Sequence, residues 1–237
     1  MFQTEKYLQD ITDFMKEAFG QRLLYVGLQG SYMRGEATEA SDIDIMVVIN
    51  DLTKKDLDVY REIILDLPDH EKSCGFICGM DELTGWNPLE LCHLVHTTKD
   101  YYGNLSELLP EYSDQDIYHY IKVSLGNVYH ELCHRYIHAD RMMNYQALPF
   151  TYKGVFFILQ NIYYLKTGVF CISKNEMLGM LEESDKEIME ISMSIASEEE
   201  YDFDQAFETL FQWCQRMLSE FTLPENNESG RDRFFKE

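Results

Sequence analysis

The sequence predicts two domains of different class: an α/β domain with a small mixed sheet and helices over about residues 1–110, and an all-α helical bundle over about residues 111–237. Two observations predict it. In the first half, strand-like apolar runs alternate with helical periodicity, and from about Ser113 the spacing of apolar residues becomes helical throughout. With 237 residues, 45% of them apolar and 14% aromatic, the chain can bury a core in each domain and is excluded from the disordered class.

Residues Thr4 to Phe19 place Tyr7, Leu8, Ile11, Phe14, Met15 and Phe19 on one helical face. Arg22 to Gln29 (RLLYVGLQ) then reads as a strand running into Gly30, and Ser41 to Ile49 (SDIDIMVVI) as a second. Thr53 to Leu67 has helical spacing with Thr53 as N-cap before Asp56, and Ser73 to Met80 is a third strand. Beyond Ser113 the helical stretches are Asp114 to Ala139, Tyr152 to Thr167, Ser184 to Ala196 and Asp202 to Glu220. Gly168 is a helix C-terminal signal, and Ser173 with Glu176 (SKNE) is a capping-box pattern opening a short helix. Trp213 and Phe211 are read as core of the last helix. The polar stretch after Pro224 (PENNESGRDRFFKE) is expected to be mobile.

The 42 acidic and 20 basic residues give a formal charge of -22, a field that repels phosphate backbones. Long nucleic acid is therefore not an expected partner, and no clustered Lys and Arg form a track for a polymerase or tRNA-tailing enzyme. No run of about 18 apolar residues is present to span a bilayer. Six cysteines (Cys74, Cys78, Cys92, Cys133, Cys171, Cys214) lie in apolar runs with no secretory segment before them, and are expected to be reduced, buried thiols of a cytoplasmic protein. Composition carries no information on oligomeric state.

The segment that carries chemistry is Gly27 to Ile49, GLQGSYMRGEATEASDIDIMVVI. A strand ends at Gly30 and Ser31, ten residues intervene, and Asp42 and Asp44 then flank Ile43. Gly30 permits a sharp turn and the approach of a phosphate, Ser31 offers a hydroxyl, and Arg34 adds a forked cation. Side chains two apart on a strand share a face, so Asp42 and Asp44 point together while Ile43 enters the core. Two convergent carboxylates suit magnesium, which keeps waters and is completed by substrate phosphates. Two ions about 4 Å apart are the arrangement for in-line nucleotidyl transfer. Asp42 and Asp44 are thus both the metal ligands and the expected catalytic pair, and a nucleoside triphosphate is the donor.

Gly-Ser, a spacer of about ten residues and Asp-x-Asp on a hydrophobic strand resemble the signature of the DNA polymerase β nucleotidyltransferase superfamily. The form GSYMRGEATEASDIDI looks most like the small bacterial nucleotidyltransferases. Asp81, Glu82 and Trp86 in MDELTGW, followed by a helical domain with TGVFCISKNEM, are similar to the aminoglycoside adenylyltransferases of the streptomycin and spectinomycin type. The resemblance implies that Gly30 and Ser31 hold the triphosphate, with ATP as donor. It further implies an active site between the domains and a helical domain that closes over the nucleotide and supplies the acceptor site. A lysine from the helical half, Lys174 with Lys153 as a second candidate, would approach the nucleotide, and the acceptor would be a hydroxyl on an aminoglycoside-like antibiotic or on a protein side chain.

One departure concerns the third carboxylate, which the family places on the following strand. Alignment on Trp86 puts Cys74 there. Glu71, offset by three residues, would face the opposite side of the strand, and Asp81 and Glu82 come at the strand's end. The general base is therefore not assigned. This departure motivates the rival reading: a catalytically weak or inactive nucleotidyltransferase fold acting as a regulatory, antitoxin-like binding partner. Finally, His130 to His134 spells HELCH, a zinc-protease pattern, with His138 on the same face. The glycine-bearing turn of the extended zinc pattern is missing, so the stripe is expected to face the interdomain cleft or pack in the bundle.

Overall fold

The computed structural model describes residues 3–181, 183–197 and 200–223, so the polar stretch after Pro224 lies outside the described residues. The chain divides into two compact units, Met1–Glu111 and Tyr112–Glu237.

The first unit runs α1 (Thr4–Phe19), β1 (Leu23–Gln29), α2 (Gly30–Arg34), β2 (Ile43–Ile49), α3 (Lys54–Asp66), β3 (Ser73–Gly79), α4 (Met80–Thr84), α5 (Pro88–His96) and β4 (Lys99–Tyr102). Its four strands form one mixed sheet in the order β3-β2-β1-β4, with β1 antiparallel to β2 and β4, and β2 parallel to β3. Strand alternation divides the core in two. Ile43, Ile45, Val47 and Ile49 of β2 join Leu8, Ile11 and Met15 of α1 in the larger cluster, with Ile63 and Ile64 of α3 packed against it. Met46 and Val48 point the other way, into a smaller cluster with Tyr25, Cys78 and Leu83, against which Leu94 of α5 packs.

The connections are held by local chemistry. Thr53 caps α3 with a capping box: its side chain accepts from the Asp56 N–H, and the Asp56 carboxylate accepts from the Thr53 N–H at 2.8 Å. Arg22 donates to both Asp56 carboxylate oxygens, at 3.0 and 2.6 Å, and to the backbone carbonyls of Asn50 and Asp51. The start of β1 is thereby tied to the turn that launches α3, and the guanidinium holds the Asp56 carboxyl well below the usual carboxylate range.

The second unit contains α6 (Asp114–His138), α7 (Arg141–Thr167), α8 (Lys174–Met180), α9 (Glu183–Ser197) and α10 (Phe203–Glu220). The α6 helix packs on α7 and α10, and α9 on α7, α8 and α10. Ser113 and Asp116 form the capping box that starts α6, and Gly168, in the left-handed region at φ 75°, ends α7. Tyr152, fully buried, donates to the Ala206 carbonyl at 2.8 Å, and Trp213 Nε1 donates to Asp185 at 2.8 Å.

Four expectations are corrected. Phe14 is 43% exposed, because Thr12 takes the buried place on that side of α1. The helix expected from Tyr152 begins at Arg141, capped by Asp140, and runs through Pro149. A proline there leaves the Tyr145 carbonyl without its helical N–H donor, and the Tyr201 hydroxyl supplies the missing hydrogen bond. Cys74 is exposed and Cys133 half-buried, so the thiols are not uniformly core. Helix α5 and strand β4 were not expected. Asn87 with Pro88 at the first helical turn is the signal for α5, whereas the edge strand KDYY has none of the apolar alternation by which strands are read.

Candidate active site

Asp42 and Asp44 sit at the start of β2, Asp42 exposed just before the strand and Asp44 half-buried within it, while Ile43 between them is fully buried on the opposite face. The pairing of β1 with β2 sets Gln29 opposite Asp44, so the next residue, Gly30, lies against the Asp44 carboxylate. Gly30 has φ +67°, and a Cβ on it would stand 1.9 Å from Asp44 Oδ2. Both backbone conformation and space therefore demand glycine. The Gly-Ser turn and the carboxylate are one packed object, with the two motifs separated in sequence brought into contact by the β1–β2 pairing.

Ser31 follows in the single turn of α2, which closes at Gly35 in the left-handed region. Arg34, at its end, donates from Nε to Glu36 Oε2 at 2.9 Å, and both side chains are largely withdrawn from solvent. Lys72, just before β3, donates from Nζ to the Glu39 carbonyl at 2.5 Å and the Ser41 carbonyl at 3.4 Å. It thereby holds the loop that delivers Asp42. Sequence reasoning missed this lysine, since nothing marks it off from a surface lysine.

On the other side of β2, the parallel pairing sets Cys74 of β3 level with Asp44. Its thiol hydrogen-bonds the Asp44 carboxylate; partial desolvation, that bond and the negative charge of the pair push the thiol up from its ordinary value. Cys74 thus stands where a third carboxylate was sought. Glu71 lies in the turn before β3, 68% exposed beside His70. Asp81 and Glu82 are in α4, past the far end of β3 from Cys74, a strand length of roughly 17 Å away. Asp81 and Glu82 are therefore too far along the strand to replace that carboxylate.

Two histidines that no motif marked also lie nearby. His93 and His96 of α5 are both pushed down to about 4, His93 by burial and then by the positive charge of Arg34, His96 by burial. Both are therefore neutral at physiological pH. Lys174 belongs to the other unit, where it opens α8 and its Nζ lies 5.8 Å from the ring centre of Phe156; Lys153 is exposed on α7. His130, His134 and His138 are all exposed on α6, so the expectation that they pack in the bundle is not met.

As a donor set, the acid pair offers hard carboxylate oxygens close to a glycine turn with no Cβ in the way, which fits a magnesium ion completed by phosphates and water. Among the described residues, no group of three or more His, Cys, Asp or Glu side chains could hold a metal by itself.

Residues 8–77, which span α1 to β3, match the family model of a nucleotidyltransferase domain. The first unit carries a nucleotidyltransferase domain. Over 69 residues the chain is 42% identical to a protein of Methanocaldococcus jannaschii named as a protein adenylyltransferase, a match covering 26% of this chain and 47% of the relative. The chain thus matches about half the length of that curated relative. In fold, it resembles the spectinomycin adenyltransferase of Enterococcus faecialis, solved with ATP and spectinomycin, with a TM-score of 0.56 at 17% identity over 90% of this chain and 98% of that one. At that identity the likeness is one of fold. The nucleotidyltransferase domain accounts for the mixed sheet, the Gly-Ser turn and the acid pair together.

Proposed function

We propose that the protein is a magnesium-dependent adenylyltransferase that moves AMP from ATP to a hydroxyl of a small cationic acceptor, an aminoglycoside-like compound, and releases pyrophosphate. The observation that carries the reading is the seat of the Asp44 carboxylate on Gly30, which presses the phosphate turn and the metal ligands into one site. The fold likeness to a spectinomycin adenyltransferase and the charge of -22 support the cationic acceptor.

In this reading Asp42 and Asp44 hold the magnesium, which when bound neutralises triphosphate charge and activates the attacking oxygen. Gly30 keeps the backbone open to phosphate, and the Ser31 hydroxyl donates to a phosphate oxygen. Arg34, its Nε engaged by Glu36, offers its other guanidinium nitrogens to the triphosphate. Lys174 is the helical unit's contribution to nucleotide binding, and that unit supplies the acceptor recognition. The acceptor oxygen forms a bond to the α-phosphorus as the α–β bridging bond breaks, and pyrophosphate leaves with the electron pair. The hydroxyl proton passes to solvent, because β3 presents a thiol rather than a carboxylate beside Asp44. Turnover is accordingly expected to be slow. The six cysteines, none joined in a disulfide among the described residues, support a cytoplasmic location.

That same thiol favours a second reading, in which the fold binds nucleotide but acts as a regulatory partner. The archaeal relative's name favours a protein side chain as alternative acceptor. Pyrophosphate release from ATP with magnesium, against spectinomycin, streptomycin and related aminoglycosides, separates them. The first reading expects release with at least one of them and an AMP mass added to it. Binding of ATP without release for any small molecule or protein acceptor establishes the second.

A further inference from the structure

We infer that α6 carries a chelating site for a borderline transition-metal dication such as Ni2+, Zn2+ or Cu2+, formed by His130, His134 and His138 as two overlapping pairs. This site is independent of the acid pair and of the reading built on it. The three histidines recur every four residues along a continuous helix, so consecutive rings stand one turn apart on the same face. All three are exposed. The ring centroids of His130 and His134 are 5.9 Å apart, and those of His134 and His138 are 4.9 Å apart.

Those separations are what chelation asks for. With nitrogen–metal distances of about 2.0–2.1 Å, two imidazoles bound side by side on one ion place their ring centres roughly 5 Å apart. Small rotations about exposed χ angles therefore suffice, with no backbone movement. Three-fold coordination is ruled out by the helix itself, since His130 and His138 are separated by a rise of roughly 12 Å. This agrees with the absence of any three-ligand group among the described residues. The neighbouring acid, Glu131, is engaged by Arg135, so the ligands are the imidazoles, with water completing the shell. Imidazole selects these ions, whereas the oxygen donors at Asp42 and Asp44 select magnesium. The HELCH spelling marks half of a surface chelate and not a protease centre, which needs a third ligand on the same ion.

The arrangement gives His134 a distinct role, because it belongs to both pairs. Calorimetric titration of Ni2+ into the full chain tests this with wild type and four single variants. Losing a ligand costs at least the about 10–100-fold that loss of an outer-sphere partner costs. His134→Ala is therefore expected to weaken Ni2+ binding at least about tenfold, while His130→Ala and His138→Ala, each leaving one pair intact, stay within about threefold of wild type. Asp44→Asn is expected to leave Ni2+ binding unchanged, which separates this site from the proposed active site. All four positions are on the surface or half-buried, and an unchanged helical circular dichroism spectrum confirms the fold of each variant. Wild-type Ni2+ binding that survives His134→Ala, falls equally in all three histidine variants, or disappears in Asp44→Asn overturns the inference, as does a wild type that does not bind Ni2+.

Discussion

The two faces of the sheet in the first unit are built from the same strands and used in opposite ways. On one face Ile43, Ile45, Val47 and Ile49 are sealed beneath α1 and α3. On the other, Met46 and Val48 belong to a small cluster, and the row ends at Asp44, flanked by Gln29 and Cys74 on the neighbouring strands. One residue of shift along β2 changes a buried apolar position, Ile43, into a half-buried carboxylate, Asp44. The large face stabilises the sheet, which leaves the end of the other face free to hold charges close together.

That contrast is testable by changing one face at a time. The largest effect is expected on the sealed face: Ile45→Ala removes buried methyl and methylene groups and should cost about 2–5 kcal/mol in chemical denaturation. Affinity for ATP with magnesium, measured on the folded variant, should stay at the wild-type level. Loss of affinity at full stability would show that the faces are not separable.

Next comes pH, which acts through the cover of the opposite face. His93 and His96 have folded values near 4, below the ordinary 6.5. The unfolded chain therefore takes up their protons first, so their contribution is complete above pH 6.5 and is lost as pH falls from 6.5 towards 4. The loss is on the order of 2–3 kcal/mol per histidine. Melting temperatures across that window should fall less steeply in a His93→Gln, His96→Gln variant than in wild type, and equal slopes would assign the acid sensitivity to other groups.

Gly30→Ala places a methyl against the Asp44 carboxylate and forces a side chain into the left-handed region, at about 1–2 kcal/mol of strain. Affinity for ATP with magnesium is expected to drop about tenfold, equivalent to about 1.4 kcal/mol. Unchanged affinity would mean that the contact between turn and carboxylate is incidental. The smallest effect is at the remote end of the unit: Thr53→Ala removes the cap of α3 and should cost about 1 kcal/mol in thermal unfolding without altering nucleotide binding.

The same physical contrast explains what was legible in the sequence. Asp42, Ile43 and Asp44 were readable because strand alternation is a strictly local rule, and Gly30 because a turn with positive φ leaves few alternatives. Alignment on Trp86 with the family the chain resembles puts Cys74 at the third-carboxylate position, and the parallel register sets it level with Asp44. The packing of Gly30 on Asp44 was not legible, since it depends on how β1 pairs with β2. Neither was Lys72, whose role lies in reaching carbonyls more than thirty residues away. In the helical unit, capping signals at Gly168 and Ser173 fixed the element ends. Pro149 hid the first turns of α7, because its compensation comes from Tyr201, far along the chain. Short-range rules reached caps, turns and alternation, and they stopped wherever a distant partner supplied the missing bond.

The most direct test of the central claim is calorimetric titration of ATP with magnesium into wild type and into an Asp42→Asn, Asp44→Asn double variant. The site described above predicts magnesium-dependent binding to wild type and a loss of at least about 100-fold in the variant, with the fold intact by circular dichroism. Equal binding by both proteins, or no binding of any nucleoside triphosphate to wild type, would contradict it.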